Sequence, residues 1–182
     1  MEEAIRRFVA VLRQSGARWS LVGAHAIGTL TEPRATVDFD FVVEDSKLRR
    51  LLSALEEEFG ELDVVDMGPE VRLRALDIDL IRAGNHALFQ EALRRVREVG
   101  DWPIPVPEVL IALKFLAATS PWRNRPKKMQ DVADLSALYF AIGRDALDFD
   151  LLRQLAQRVY PGAETEFIGL LDKLEHGEAI SI

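Results

Sequence analysis

Hydrophobic and polar positions along this chain follow two periods, and the change between them divides it into parts. Ile5, Phe8, Val9 and Leu12 recur at helical spacing with charges between them, which predicts an N-terminal helix. Residues 17–22, Ala-Arg-Trp-Ser-Leu-Val, read as a short strand, which Gly23 closes before a small-residue run at 24–28 that starts a helix. Residues 36–43 alternate as far as Phe41 and are then continuously apolar, predicting a largely buried strand that carries Asp38 and Asp40. Strand side chains repeat with period two, so both carboxylates are expected on one side of the sheet.

The next segment, 46–59, is an amphipathic helix with Leu48, Leu51, Leu52, Leu55 and Phe59 on one face, ended by Gly60. Strand signals return at 62–65. After the Gly68-Pro69 turn they continue over 71–81, where Asp77 and Asp79 are expected to share a side. Residues 85–95 predict a short helix with Asn85 as its cap, and 96–106 an extended stretch punctuated by Pro103 and Pro105. From Pro107 the period is helical: 107–118, 126–140, 150–160 and 163–176. The tail, 177–182, is expected to be loosely held. A strand-rich middle followed by a run of helices argues an α+β or α/β fold, with a core over 1–106 and a C-terminal helical subdomain over 107–182.

Composition narrows the setting. With 182 residues, 48% hydrophobic and 29% charged, the chain can bury a core of its own. It has no cysteine, which excludes disulfides and thiolate metal sites. No signal-peptide pattern or membrane-length apolar run is visible, so a cytoplasmic protein without a membrane partner is expected. The formal net charge of −7 argues against a protein that coats nucleic acid nonspecifically, although a local basic patch could still hold RNA.

The acids suggest the chemistry. Two carboxylates aimed into one small volume repel each other unless a cation sits between them. Oxygen ligands without sulfur suit Mg²⁺, which takes one or two carboxylates plus phosphate oxygens, and this points to a nucleoside triphosphate. A third acid from a neighbouring strand, Asp79 or Asp77, would complete a two-metal centre or act as general base. Gly23 has no side chain to block a triphosphate, and the helix start after it offers free N–H groups.

Leu21-Val22-Gly23-Ala24, followed after residues 25–37 by Asp38-Phe39-Asp40-Phe41, resembles the nucleotidyltransferase signature of the DNA polymerase beta superfamily. The longer string GAHAIGTLTEPRATVDFDFVV, with its Arg34-x-Thr36-x-Asp38-x-Asp40, is similar to a bacterial branch of minimal nucleotidyltransferases. The resemblance implies a mixed sheet flanked by helices, with Asp38, Asp40 and Asp79 as catalytic and metal-ligating residues for two Mg²⁺ ions. Of the two candidates for the third acid, Asp79 in Ile78-Asp79-Leu80-Ile81 matches best and Asp77 is the substitute. It also implies nucleotide contacts at Gly23, Ala24, Arg34 and Thr36, with Ala24 standing where the superfamily has Gly or Ser. Lys114 and Asp131-Val132-Ala133-Asp134-Leu135 resemble later motifs of AbiEii-type toxin nucleotidyltransferases, with Gln130 in place of the usual Arg. That likeness implies a nucleotide contact for Lys114, catalytic support from Asp131, a tRNA or protein acceptor, and a cognate antitoxin.

Other residues have competing roles. Arg34 could neutralise a phosphate or pair with Glu32 or Glu44. His25 could donate to a phosphate or pack as a hydrogen-bonded buried histidine. Asp134, three residues after Asp131 on one helix face, could serve catalysis, cap or form a salt bridge. Arg123, Arg125, Lys127 and Lys128 could bind phosphates or form a solvated helix start, and Trp122 could stack on a base or pack.

Overall fold

The structure, a computed structural model, describes residues 2–180, so Ser181 and Ile182 of the expected loose tail lie outside the described residues. In chain order the first half comprises α1 (Glu2–Ser15), β1 (Trp19–Val22), α2 (Gly23–Gly28), β2 (Phe39–Val43), α3 (Asp45–Phe59), β3 (Val64–Asp66), β4 (Glu70–Leu73) and β5 (Ile78–Arg82). Then come α4 (Ala87–Arg94), β6 (Val96–Val99), β7 (Trp102–Pro105), α5 (Pro107–Thr119), α6 (Arg125–Ile142), α7 (Phe149–Ala156) and α8 (Ala163–His176). The fold is α+β, a mixed sheet flanked by helices.

Five strands form the sheet in the order β1-β2-β5-β4-β3, with β2 and β5 parallel and the other neighbours antiparallel. The parallel pair needs a crossover, and it contains α3. On one sheet face Phe41 meets Phe8 of α1 at a centroid distance of 5.0 Å and Trp102 of β7 at 6.3 Å. Helix α1 packs on α3 through its buried stripe of Ile5, Phe8, Val9 and Leu12, as the spacing predicts. One apolar cluster joins the sheet to the later helices, where Phe115 of α5 meets Phe167 of α8 at 4.7 Å.

Three local expectations need correction. The strand expected over 36–43 begins only at Phe39, so residues 36–38 are irregular and Asp38 stands outside the pleat. The strand expected over 71–81 is a β4–β5 hairpin. A 3₁₀ turn at Arg74–Leu76 interrupts it, and Asp77 takes a left-handed φ of 52°, a conformation Asp adopts more readily than most residues. The helix expected from Asn85 starts at Ala87, because the Asn85 amide donates instead to the Pro69 carbonyl. His86 takes over the cap: its Nδ1 accepts the Leu88 N–H at 3.1 Å. The extended stretch over 96–106 is the β6–β7 hairpin, and the last helices run close to their expected spans except that α7 stops at Ala156.

Candidate active site

The strand register builds the site. Val22, Asp40, Asp79 and Arg72 are successive cross-strand partners on β1, β2, β5 and β4. Residues directly opposed in neighbouring strands project to the same side, so these four form a row across one sheet face, opposite the face holding Phe41. Glu70 and Ile81 form the adjoining pair on that face.

Gly23 follows directly at the end of β1, with φ +66°, and a Cβ there would lie 1.9 Å from Asp40 Oδ2. The carboxylate of Asp40 therefore rests against the glycine backbone, a closeness open only to a residue without a side chain. Burial pushes the Asp40 carboxyl up to about 7, Asp79 adds to the shift, and Lys114 opposes it. Ala24 is buried beside the turn, and Thr36 is half-buried in the irregular segment.

Asp79 is 5% exposed. Both its oxygens accept from Arg72, Nε to Oδ1 at 2.6 Å and Nη2 to Oδ2 at 2.5 Å. Asp38 lines a neighbouring cavity together with Arg72, Arg74, Asp77 and Asp79, while Asp40 faces the main cleft. The expectation that Asp38 and Asp40 share a pleat is thus corrected: Asp38 is exposed and belongs to the loop entering β2. Asp77 is likewise exposed, ahead of β5, so it does not share a strand face with Asp79. Among the described residues, no group of three or more Asp, Glu or His is already placed to hold a metal ion.

The main cleft, of about 320 Å³, has a polar side formed by Asp40, Glu70, Lys114, Arg123 and Asp131 and an apolar side that includes Ile81, Phe89, Leu113 and Leu116. Lys114 reaches it from α5, where it bonds Asp131 Oδ1 at 3.0 Å and Asp134 Oδ2 at 2.7 Å, both carboxylates being nearly buried. The spacing of three on α6 puts the two acids on one face around the ammonium. Arg123 covers Asp131, with Nη2 at 3.2 Å and a shorter contact from Nε. Arg34 forks onto Asp134 at 2.8 and 3.1 Å, and Gln130 adds a bond at 3.0 Å. Burial alone would push Asp134 up, but the hydrogen bonds from Arg34 and Lys114 hold it below the usual carboxylate range. Of the two roles open to Arg34, the ion pair is made with Asp134 of α6 instead of Glu32 or Glu44, which ties the segment before β2 to the helical part. His25 stacks on Phe39 at 3.7 Å, and burial, reinforced by Arg34, holds its imidazole below the usual value.

Two residues in the site escaped sequence reasoning. Glu70 lines the cleft, and burial with nearby Asp79 raises its carboxyl above the usual range. Arg72 closes Asp79. The available signal was the alternation Glu70-x-Arg72, which puts both on one strand face once the hairpin is known. In the basic run, Arg123 turns inward to Asp131, Arg125 and Lys127 are exposed, and Trp122 is 95% exposed.

The arrangement offers hard oxygen donors at Asp38 and Asp40, glycine backbone beside Asp40, and cations at Lys114 and Arg123 across the main cleft. Burial with the nearby charge of Asp79 and Asp38 raises the Asp40 carboxyl, and a divalent cation would offset that repulsion, so Asp40 and Asp38 fit one as oxygen ligands; Asp79 would fit with its guanidinium partner displaced. No family model matches the chain, and no curated protein matches it. Solved structures do. The antibiotic-resistance factor ANT(2'')-Ia aligns with a TM-score of 0.56 at 16% identity, over 96% of this chain and 95% of that one. An antigenic nucleotidyltransferase-like protein from Paracoccidioides brasiliensis aligns at 0.54 and 17% identity, over 93% and 91%. JHP933 from Helicobacter pylori aligns at 0.50 and 16% identity, over 96% and 89%. The chain has the fold of nucleotidyltransferases and nucleotidyltransferase-like proteins.

Proposed function

We propose that the protein is a Mg²⁺-dependent nucleotidyltransferase that moves a nucleoside monophosphate from a nucleoside triphosphate to an acceptor hydroxyl. The observation that carries this reading is the contact of Gly23 with Asp40 in the row shared with Asp79, at a cleft whose other wall carries Lys114 and Arg123. Magnesium held by Asp38 and Asp40, with Asp79 joining as third ligand for a second ion or serving as base, would neutralise the phosphates. Gly23 leaves room for the Asp40 carboxylate at the cleft, and Ile81, Phe89 and Leu116 offer an apolar wall for the base. Lys114, held in place by Asp131 and Asp134, presents its charge to the phosphates. The acceptor oxygen bonds the α-phosphorus while the bond to the bridging oxygen breaks. Pyrophosphate leaves, and the acceptor proton passes to a cleft carboxylate.

For the acceptor we read RNA, with tRNA as the first candidate. Trp122, 95% exposed, stands beside exposed Arg125 and Lys127, and Arg123 from the same segment lines the cleft. A toxin role with a cognate antitoxin, or a protein acceptor, rests on the motif likeness alone. A small-molecule acceptor is the second reading, favoured by the fold shared with an antibiotic-resistance factor.

The test is incubation with Mg²⁺, each labelled triphosphate, and either total RNA or candidate small-molecule antibiotics, alongside Asp40→Asn. Label on RNA that disappears in the variant is the expected result. Tight Mg²⁺-dependent triphosphate binding with no transfer to any acceptor would instead indicate a nucleotide-binding module that has lost its chemistry.

A further inference from the structure

Arg72 and the third carboxylate form an unusual pair for a site that needs its acids free. A forked guanidinium spends its two best-aligned donors on both oxygens of Asp79, at 2.6 and 2.5 Å. A divalent cation needs those same oxygens. The two partners differ in freedom: the Asp79 side chain is 7% exposed and the Arg72 side chain 44%. Asp79 is fixed in the interior of the sheet face, while Arg72 reaches it from the solvent side of β4 and can swing away without unpacking the core. It also has somewhere to go, because Asp77 lines the same cavity of about 220 Å³ and is exposed.

We propose that Arg72 is a positioning residue that competes with the divalent cation for Asp79, so that it sets the cation concentration at which the site assembles. This rests on the reading of Asp38, Asp40 and Asp79 as the metal-binding acids. Arg72 offsets the charge of Asp79 only in part, since Asp79 still raises the neighbouring Asp40 carboxyl, and a guanidinium is the one positive group bonded to Asp79 where an ion would otherwise sit. A cation bound first by Asp38 and Asp40 takes up the oxygens of Asp79, and Arg72 is released toward Asp77. The competition is direct, between two positive groups for one pair of oxygens, and it does not depend on which acceptor or base the site takes.

Mn²⁺ binding, read from loss of the free-ion electron paramagnetic resonance signal, tests this without turnover. The proteins are the wild type, Arg72→Gln, Arg72→Ala, Asp79→Asn, Arg72→Gln with Asp79→Asn, and Asp40→Asn, each with and without a non-hydrolysable triphosphate. Circular dichroism checks that each variant is folded, and Arg72→Gln keeps much of the side-chain stem if Arg72→Ala does not fold. The expected result is Mn²⁺ affinity about tenfold or more higher in the Arg72 variants, the scale of one charge-assisted pair. That gain should vanish when Asp79 is already Asn. Unchanged or weaker affinity in the Arg72 variants overturns the proposal, as does a gain that persists with Asn at position 79. If Asp40→Asn leaves Mn²⁺ binding intact, the metal reading of the site fails instead, and if no protein binds Mn²⁺, both fail.

Discussion

Gly23 and Asp40 occupy one another's space: a Cβ on the glycine would stand 1.9 Å from Oδ2 of the aspartate. The positive φ of Gly23 is thus only half of the reason for a glycine here, and the carboxylate packed against it is the other half. Gly23→Ala must move Asp40 or the turn, and it adds left-handed strain of roughly 1–2 kcal/mol. The expected outcome is a folded protein with a modestly lowered melting temperature and no measurable Mg²⁺-triphosphate binding by calorimetry. Wild-type binding in this variant would show that the cleft does not use Asp40 in its present position.

The Asp40 carboxyl sits at about 7, against an ordinary value of 3.8. A carboxyl raised by folding is protonated more readily in the folded than in the unfolded chain, so the contribution of Asp40 to stability falls as pH rises from about 4 to 7 and is flat above. Asn cannot ionise. In chelator, Asp40→Asn is therefore expected to gain on the wild type across that window, by at most about 4 kcal/mol at roughly 1.4 kcal/mol per pH unit. Denaturant melts at several pH values read the gap, and a gap that stays constant with pH would contradict the burial of this group.

Lys114 lies between Asp131 and Asp134 at 3.0 and 2.7 Å, and its side chain is 12% exposed. Lys114→Met leaves two buried acids with only Arg123, Arg34 and Gln130, and a loss of about 3 kcal/mol is expected. Adding Asp134→Asn should recover part of that loss, because one uncompensated charge is gone. Strict additivity of the two changes in urea unfolding would show that the ion cluster is not a unit.

Trp122 is 95% exposed, so it does not support the fold. Trp122→Ala is expected to change stability by less than about 0.5 kcal/mol. Its affinity for single-stranded RNA should fall, by about 1–3 kcal/mol if one base stacks on the indole. Fluorescence anisotropy with a labelled oligonucleotide measures this, and unchanged RNA affinity would remove the stacking role.

Several features were legible in the order of residues because they follow from local period or local chemistry. The stripe of Ile5, Phe8, Val9 and Leu12 marks α1, Gly23 marks the turn after β1, and Pro107 marks the start of α5. Asp40 and Asp79 stand out as acids set in apolar strands, and the register makes them cross-strand partners. The facing of Asp38 and Asp77 could not be read the same way, because period two holds only inside a strand and both residues stand just before one. Nothing local revealed the break at Arg74–Leu76, since Asp77 in the left-handed region interrupts a pattern that otherwise alternates cleanly.

What the amino-acid order determined by itself was the set of elements and the acids and glycine they carry, because helix and strand periods are written in neighbouring residues. Only the tertiary structure decided the partners: Arg72 on Asp79 across two strands, Arg34 on Asp134 at a separation of 100 residues, and Lys114 between two acids of another helix. Any Arg or Lys in the chain could in principle pair with any of its acids. The choice is made by strand register and by which side chains the packed helices leave facing one cleft, and neither is encoded in local spacing.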